Sequence, residues 1–175
     1  MYKRQQKGIT DLLDAYYKAY TAAPNIPRLN IIGKGEEFDN IQQWIKQNNM
    51  ESKVELLGPI YEDSKKEMYF KKALATISPN QAGLSVLESM GYGTPFVTSQ
   101  DAITGGERFN IRNGETGVLY DTKDDLAKIL IDITNNPQKY IDMGENAARY
   151  YRENRTAKKM VQGFVDAVNY VMGNA

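Results

Sequence analysis

Residues 77–98 read Ile-Ser-Pro-Asn-Gln-Ala-Gly-Leu-Ser-Val-Leu-Glu-Ser-Met-Gly-Tyr-Gly-Thr-Pro-Phe-Val-Thr, and this run constrains the fold more than any other part of the chain. The apolar residues Leu74 to Ile77 read as a strand that stops at Ser78-Pro79. A polar loop containing Gly83 then opens a helix that carries Glu88 on its second turn. That helix closes at Gly91-Tyr92-Gly93, Thr94-Pro95 turns the chain, and Phe96-Val97-Thr98 begins the next strand. Strand, glycine loop, helix and strand in so short a span make a βαβ unit. The amino end of its helix offers unpaired N–H groups and a positive dipole end, which suits a phosphate. Glu88, slightly further along, is placed to accept hydrogen bonds from sugar hydroxyls.

The same alternation extends over the rest of the chain. Ile9, Leu12, Leu13, Tyr16 and Tyr20 share one helical face, closed by Pro24 and Pro27. Leu29 to Ile32 reads as a strand, Glu36 to Asn48 as a helix around Phe38, Ile41, Trp44 and Ile45, and Val54 to Leu57 as a strand stopped by Gly58-Pro59. Ser64, with Glu67 three residues on, predicts a capping box for a helix up to about Lys72. Gly117 to Tyr120 is a short strand after an Asn113-Gly114 turn. Thr122 caps a helix burying Leu126, Ile129, Leu130 and Ile133, and Asn136-Pro137 opens the next. The last helix carries Met160, Val161, Phe164, Val168 and Val171. Strands alternating with helices predict an α/β, Rossmann-like fold, a parallel sheet with helices on both faces.

Length and composition narrow the function. A chain of 175 residues suits one domain, here 1–175. Formal net charge is zero, which gives no electrostatic footprint for nucleic acid. There is no cysteine, so no disulfide framework or thiolate metal site. There is also no histidine, so this chain alone houses no Ser-His, Cys-His or His-metal chemistry. Arg149, Arg152, Arg155, Lys158 and Lys159 form a basic stretch. With Glu145 and Glu153 interspersed it reads as a solvated helix face, and a peripheral membrane contact is the minor alternative.

The central run resembles the donor-binding half of nucleotide-sugar glycosyltransferases with two Rossmann-like domains, the GT-B fold. Gly83-Leu84 and then Glu88-Ser89-Met90-Gly91-Tyr92-Gly93-Thr94-Pro95-Phe96-Val97 fall in register with that family's motif. Lys7-Gly8 followed by Leu12-Leu13-x-Ala15 is similar to the segment after the domain's first strand. One departure stands out. The first carboxylate of the family's Glu-x7-Glu pair falls on Asn80, and the Gly-Phe after it becomes Gln81-Ala82.

The resemblance implies a site, residue by residue. Lys7 would hold the donor diphosphate and act as the catalytic cation, because a departing phosphate gains negative charge. Backbone N–H groups of Ala82, Gly83, Leu84 and Ser85 would bind the same diphosphate. Glu88 would bind the ribose and Asn80 the donor sugar, as an amide that both donates and accepts. Pro59 and Ile60, at a strand's carboxyl end, would wall the nucleobase. Glu107 is out of register with the family acid, which falls on Phe109, and reads as structural. No metal or other cofactor is implied.

The function implied is transfer of a hexose, with retention of anomeric configuration, from a UDP- or GDP-sugar to a glycan or lipid-linked acceptor. Surface polysaccharide biosynthesis in the cytoplasm, at the inner face of the membrane, is the matching setting. A nucleotide-sugar epimerase of the same fold and a non-catalytic nucleotide-sugar-binding module are the alternatives. The chain also opens on a helix where a doubly wound domain opens on a strand, and that strand lies centrally in the sheet. Residues 1–6 are too polar and short to supply it. The expectation is a domain truncated at its amino end, lacking its first, central strand and an N-terminal acceptor domain.

Overall fold

The computed structural model describes residues 8–173. Helix α1 (Ile9–Ala22) forms where the apolar stripe predicts, burying Leu12, Leu13, Tyr16 and Ala19. The Tyr16 hydroxyl donates to the Pro27 carbonyl at 2.7 Å, and burial pushes its pKa up to about 12. Then follow β1 (Leu29–Ile32), α2 (Phe38–Gln47), β2 (Val54–Gly58), α3 (Asp63–Phe70) and β3 (Thr76–Ile77). Next come α4 (Ser85–Gly91), β4 (Phe96–Ser99), a 3-10 turn (Glu107–Asn110) and β5 (Gly117–Tyr120). The chain continues through α5 (Lys123–Asn135), α6 (Pro137–Asn154) and α7 (Ala157–Gly173).

All strand pairs are parallel, as alternation with helices requires. Among the described residues the strands form two sheets, β1–β2 and β3–β4–β5, and β1 and β3 are not paired. The expectation of a missing central strand turns on residues 1–6, which lie outside the described residues.

Two cores follow this division. One joins α1, α2 and α5 through Leu12, Leu13, Ile41, Ile45, Leu126 and Leu130. The other joins α4, β4 and α6 through Val86, Met90, Phe96 and Ala147. The approach of α6 to the turn before β4 depends on glycine, since a Cβ at Gly144 would collide with the Gly93 carbonyl oxygen.

Some local expectations change. Thr122 caps α5 in a full capping box with Asp125. Ser64 does not cap α3: the helix starts two residues earlier than that cap requires, at Asp63, with Glu62 at the cap position and no side-chain cap bond. The strand predicted from Leu74 shortens to Thr76–Ile77, because only these residues pair with β4. Helix α4 starts at Ser85, so Glu88 lies in its first turn and not its second. Helix α7 is amphipathic, yet none of its residues is buried, and Met160, Phe164, Val168 and Val171 are exposed.

Candidate functional site

The loop between β3 and α4 is tied down by hydroxyl groups. Thr98 of β4 donates to the Ser78 carbonyl at 2.8 Å. Ser89, fully buried on α4, donates to the Thr94 carbonyl at 2.7 Å and lies 2.8 Å from the Thr76 hydroxyl. Thr94 in turn donates to the Phe70 carbonyl. Each bond satisfies a group that would otherwise be buried unpaired, so helix, turn and strands hold one geometry.

Onto this loop comes the start of α1. Gly8, its N-cap, adopts φ 71°, a left-handed conformation that glycine takes without strain. A Cβ there would sit 2.8 Å from both the Asn80 side-chain nitrogen and the Pro79 side chain. Helix α1 also has no side-chain cap. Its free N–H groups and positive dipole end therefore sit next to Asn80, and the amino end of α4 is five residues along the chain. Two helix starts converge on one loop.

The predicted phosphate-binding residues divide. No backbone hydrogen bond engages the N–H groups of Gly83, Leu84 or Ser85 among the described residues. Leu84 is 74% exposed, and the space where a Gly83 Cβ would project is open. Ala82 is corrected. Its N–H already donates to the Ile103 carbonyl at 2.9 Å, in a bridge between Gln81 and Ile103, and its side chain is fully buried. Lys7, predicted to hold the diphosphate, lies outside the described residues, although its neighbour Gly8 is at the loop.

A cleft of about 630 Å3 opens between the two sheets. Ile60, Lys66, Ser78, Ser85 and Glu88 line it, whereas Asn80, Gly83 and Leu84 do not. Glu88 and Ile60, predicted for the nucleoside, thus line one cleft together with Ser85, predicted for the diphosphate. Pro59 is exposed and not part of that wall.

Glu88 is not alone. Lys66 of α3 reaches it at 2.9 Å and reaches Asp63 at 3.0 Å. Hydrogen bonds to Glu88 and then Asp63 hold the Lys66 ammonium above its ordinary pKa. The sequence reading missed this lysine, since the pair spans 22 positions and has no periodic signal. It also missed Ser78, whose hydroxyl is buried without a hydrogen-bond partner beside the cleft. Its position directly after β3, at a strand's carboxyl end, is the signal that could have flagged it.

Glu107 closes its own loop. Backbone N–H groups of Glu107 and Gly105 and the Thr104 hydroxyl lower its pKa below the ordinary carboxylate value. Among the described residues no group of three or more His, Cys, Asp or Glu side chains is arranged to hold a metal ion.

Comparisons with known proteins agree with this architecture. The N-acetyl-alpha-D-glucosaminyl L-malate synthase of Bacillus anthracis is 27% identical over 165 residues, covering 92% of this chain and 42% of that protein. The alpha-monoglucosyldiacylglycerol synthase of Acholeplasma laidlawii is 25% identical over 146 residues, covering 82% of this chain and 35% of that protein. The chain thus spans less than half the length of these curated relatives. Among solved structures, TarM of S. aureus, in a complex that includes UDP, superposes with a TM-score of 0.79 at 22% identity. That match covers 92% of this chain and 32% of TarM. The C-terminal domain of a group 1 family glycosyl transferase from Francisella tularensis gives a TM-score of 0.73 at 16% identity. It covers 89% of this chain and 83% of that domain. At such identities the structures establish the fold, that of the C-terminal Rossmann-like half of a GT-B protein. The family model of glycosyl transferases group 1 matches residues 3–150, most of the sequence. This chain belongs to the glycosyl transferases group 1 family.

Proposed function

We propose that this chain is the donor-binding domain of a glycosyltransferase that moves a hexose from a UDP- or GDP-sugar to a glycan or lipid-linked acceptor. The convergence of two helix starts at Asn80 carries the reading. An uncapped α1, a glycine that lets the loop pack against it, and the free N–H groups of residues 83–85 together favour a diphosphate. Glu88, in the first turn of α4, faces the cleft where a ribose would lie. Solved neighbours with UDP, and with UDP-glucose in the case of Anabaena HepE, support a nucleotide-sugar as donor.

In this reading the bond from the sugar's anomeric carbon to the diphosphate breaks, and an acceptor hydroxyl forms the new bond with retention of configuration. Negative charge grows on the departing diphosphate, where helix N–H groups and the Lys7 ammonium stabilise it. Asn80 hydrogen-bonds the sugar but lacks the negative charge a carboxylate would offer a positive transition state. No metal is required. In this reading the acceptor site and any histidine would belong to a further domain, and the greater length of the relatives supports that reading. The setting we favour is polysaccharide assembly at the cytoplasmic face of a membrane. No helix among the described residues is long and apolar enough to cross one.

Calorimetric titration of UDP and GDP into the chain tests the reading. One nucleotide should bind, and Gly8→Val should weaken it by displacing α1 from the Asn80 loop. If neither nucleotide binds, the assignment is wrong. Incubation of a UDP-sugar with the full-length enzyme and an acceptor separates the alternatives: an epimerised donor points to an epimerase, and binding without transfer to a non-catalytic module.

A further inference from the structure

Helix α3 buries none of its residues and has no side-chain cap. It is nevertheless fixed to α4 and the turn after it at two places. At its carboxyl end the Phe70 ring stacks on Tyr92, with centroids 4.8 Å apart, and the Phe70 carbonyl accepts the Thr94 hydroxyl at 3.0 Å. Near its middle Lys66, which lines the cleft, reaches Glu88 at 2.9 Å. This contact sets Lys66 apart from its neighbour: its side chain is 24% exposed, against 61% for Lys65. Asp63, one turn earlier on the same helix, holds the ammonium at 3.0 Å and so fixes where it points. Among the described residues Lys66 is the one cation paired with Glu88. It takes one carboxylate oxygen, Oε1, and no described group donates to Oε2.

We propose that Lys66 is a positioning residue for the donor's ribose: it holds the Glu88 carboxylate so that the free oxygen meets the 2′ and 3′ hydroxyls, and thereby selects ribonucleotide over deoxyribonucleotide donors. This role deepens the donor reading given above and rests on it. An ionised carboxylate accepts through two oxygens with about four lone-pair sites, so a lysine and a diol can share it. A glutamate side chain has several rotatable bonds to fix before it can bind, and a pair already made supplies that order in advance. Direct contact of Lys66 with the diphosphate is disfavoured by charge. Its ammonium is flanked by two carboxylates, and the three groups together are negative. The same helix begins three residues after Ile60, the residue predicted beside the nucleobase, and Ile60 lines the cleft with Lys66 and Glu88. The ion pair therefore ties the segment beside the base to the carboxylate beside the ribose.

Calorimetry on the 175-residue chain tests this with whichever of UDP and GDP binds, and with the 2′,3′-dideoxy form of that nucleotide. The unsubstituted chain should prefer the ribonucleotide by about tenfold or more. Lys66→Met should cut that preference by at least about threefold, by weakening the ribonucleotide alone, while Lys66→Arg retains it. In a Glu88→Gln background Lys66→Met should change neither affinity further, as expected of a residue that acts through Glu88. Melting temperatures of the variants should match, since the ion pair is partly exposed. Equal weakening of both nucleotides by Lys66→Met would overturn the proposal, because it would place the lysine on the diphosphate. So would a full additional loss in the Glu88→Gln background. If Glu88→Gln removes the preference and Lys66→Met leaves it intact, Glu88 binds the ribose unaided; the donor reading then stands and the role of Lys66 falls. If neither UDP nor GDP binds the unsubstituted chain, the donor reading fails and this role fails with it.

Discussion

The β3–β4–β5 half and the β1–β2 half are both built from short parallel strands, yet they are finished differently. In the first, Phe96, Val97 and Thr98 are fully buried, and the hydroxyls of Ser89, Thr94 and Thr98 all have partners. In the second, β1 alternates between half-buried and exposed residues along its whole length. The loop between β3 and α4 leans on the finished half. Among the described residues two buried side-chain polar atoms lack a hydrogen-bond partner, Arg108 Nε and the Ser78 hydroxyl, and the latter lies where the finished half meets the cleft. The loop is thus held on the side where the buried hydroxyls of Ser89, Thr94 and Thr98 are already satisfied.

This contrast can be broken by substitution. Phe96→Ala should cost about 3–5 kcal/mol, because a fully buried aromatic leaves a cavity. Ile31→Ala, in half-buried β1, should cost less than about 2 kcal/mol. Urea unfolding measures both, and equal losses would erase the distinction between the halves. Glu88→Ala should raise the nucleotide dissociation constant tenfold to a hundredfold, about 1.5–3 kcal/mol, as charge-assisted bonds to ribose are lost. Stability should change little, since its ion pair with Lys66 is partly exposed. Unchanged affinity for both nucleotides in calorimetry would remove Glu88 from the site.

Ser89→Ala should cost about 1–3 kcal/mol by unpairing the Thr94 carbonyl. Thermal melts with and without nucleotide would show whether the loop loosens as well. Thr122→Ala should cost about 1 kcal/mol through loss of the α5 cap. Asp125 belongs to that cap, and hydrogen bonds from the Thr122 side chain, then Lys128, lower its pKa from 3.8 to about 2. A depressed carboxylate pKa contributes stability above the unfolded value, so this contribution is present above about pH 4 and fades as pH falls toward 2. The variant should show a weaker acid dependence over that window. Phe164→Ser on α7 should change stability by less than about 0.5 kcal/mol, since the ring is exposed. A larger loss would show that α7 packs against something after all.

Legibility differs by the range of the interaction. Thr122 with Asp125, and Pro137 at the start of α6, are local patterns within one helical turn, and both appear as the sequence predicts. The central run likewise gives strand, loop, helix and strand. Ser64 looked like an equally good cap and is not one, because the cap position of α3 falls two residues earlier, on Glu62. Ala82 sat in the right motif, but a bridge to Ile103, 21 positions on by residue number, had already taken its N–H.

The sequence by itself determined the parallel α/β class, the order of elements, the family motif from Gly83 to Val97, and the absence of histidine and cysteine chemistry. These depend on composition and on periodicities that each segment carries alone. Only the tertiary structure decided that Gly8 meets Asn80, that Lys66 meets Glu88, that the Ser78 hydroxyl is left unpartnered, and that α7 buries nothing. Each of these is a meeting, or a missed meeting, of groups far apart in the chain. Periodicity says which face of an element is apolar, and packing alone says what that face finds.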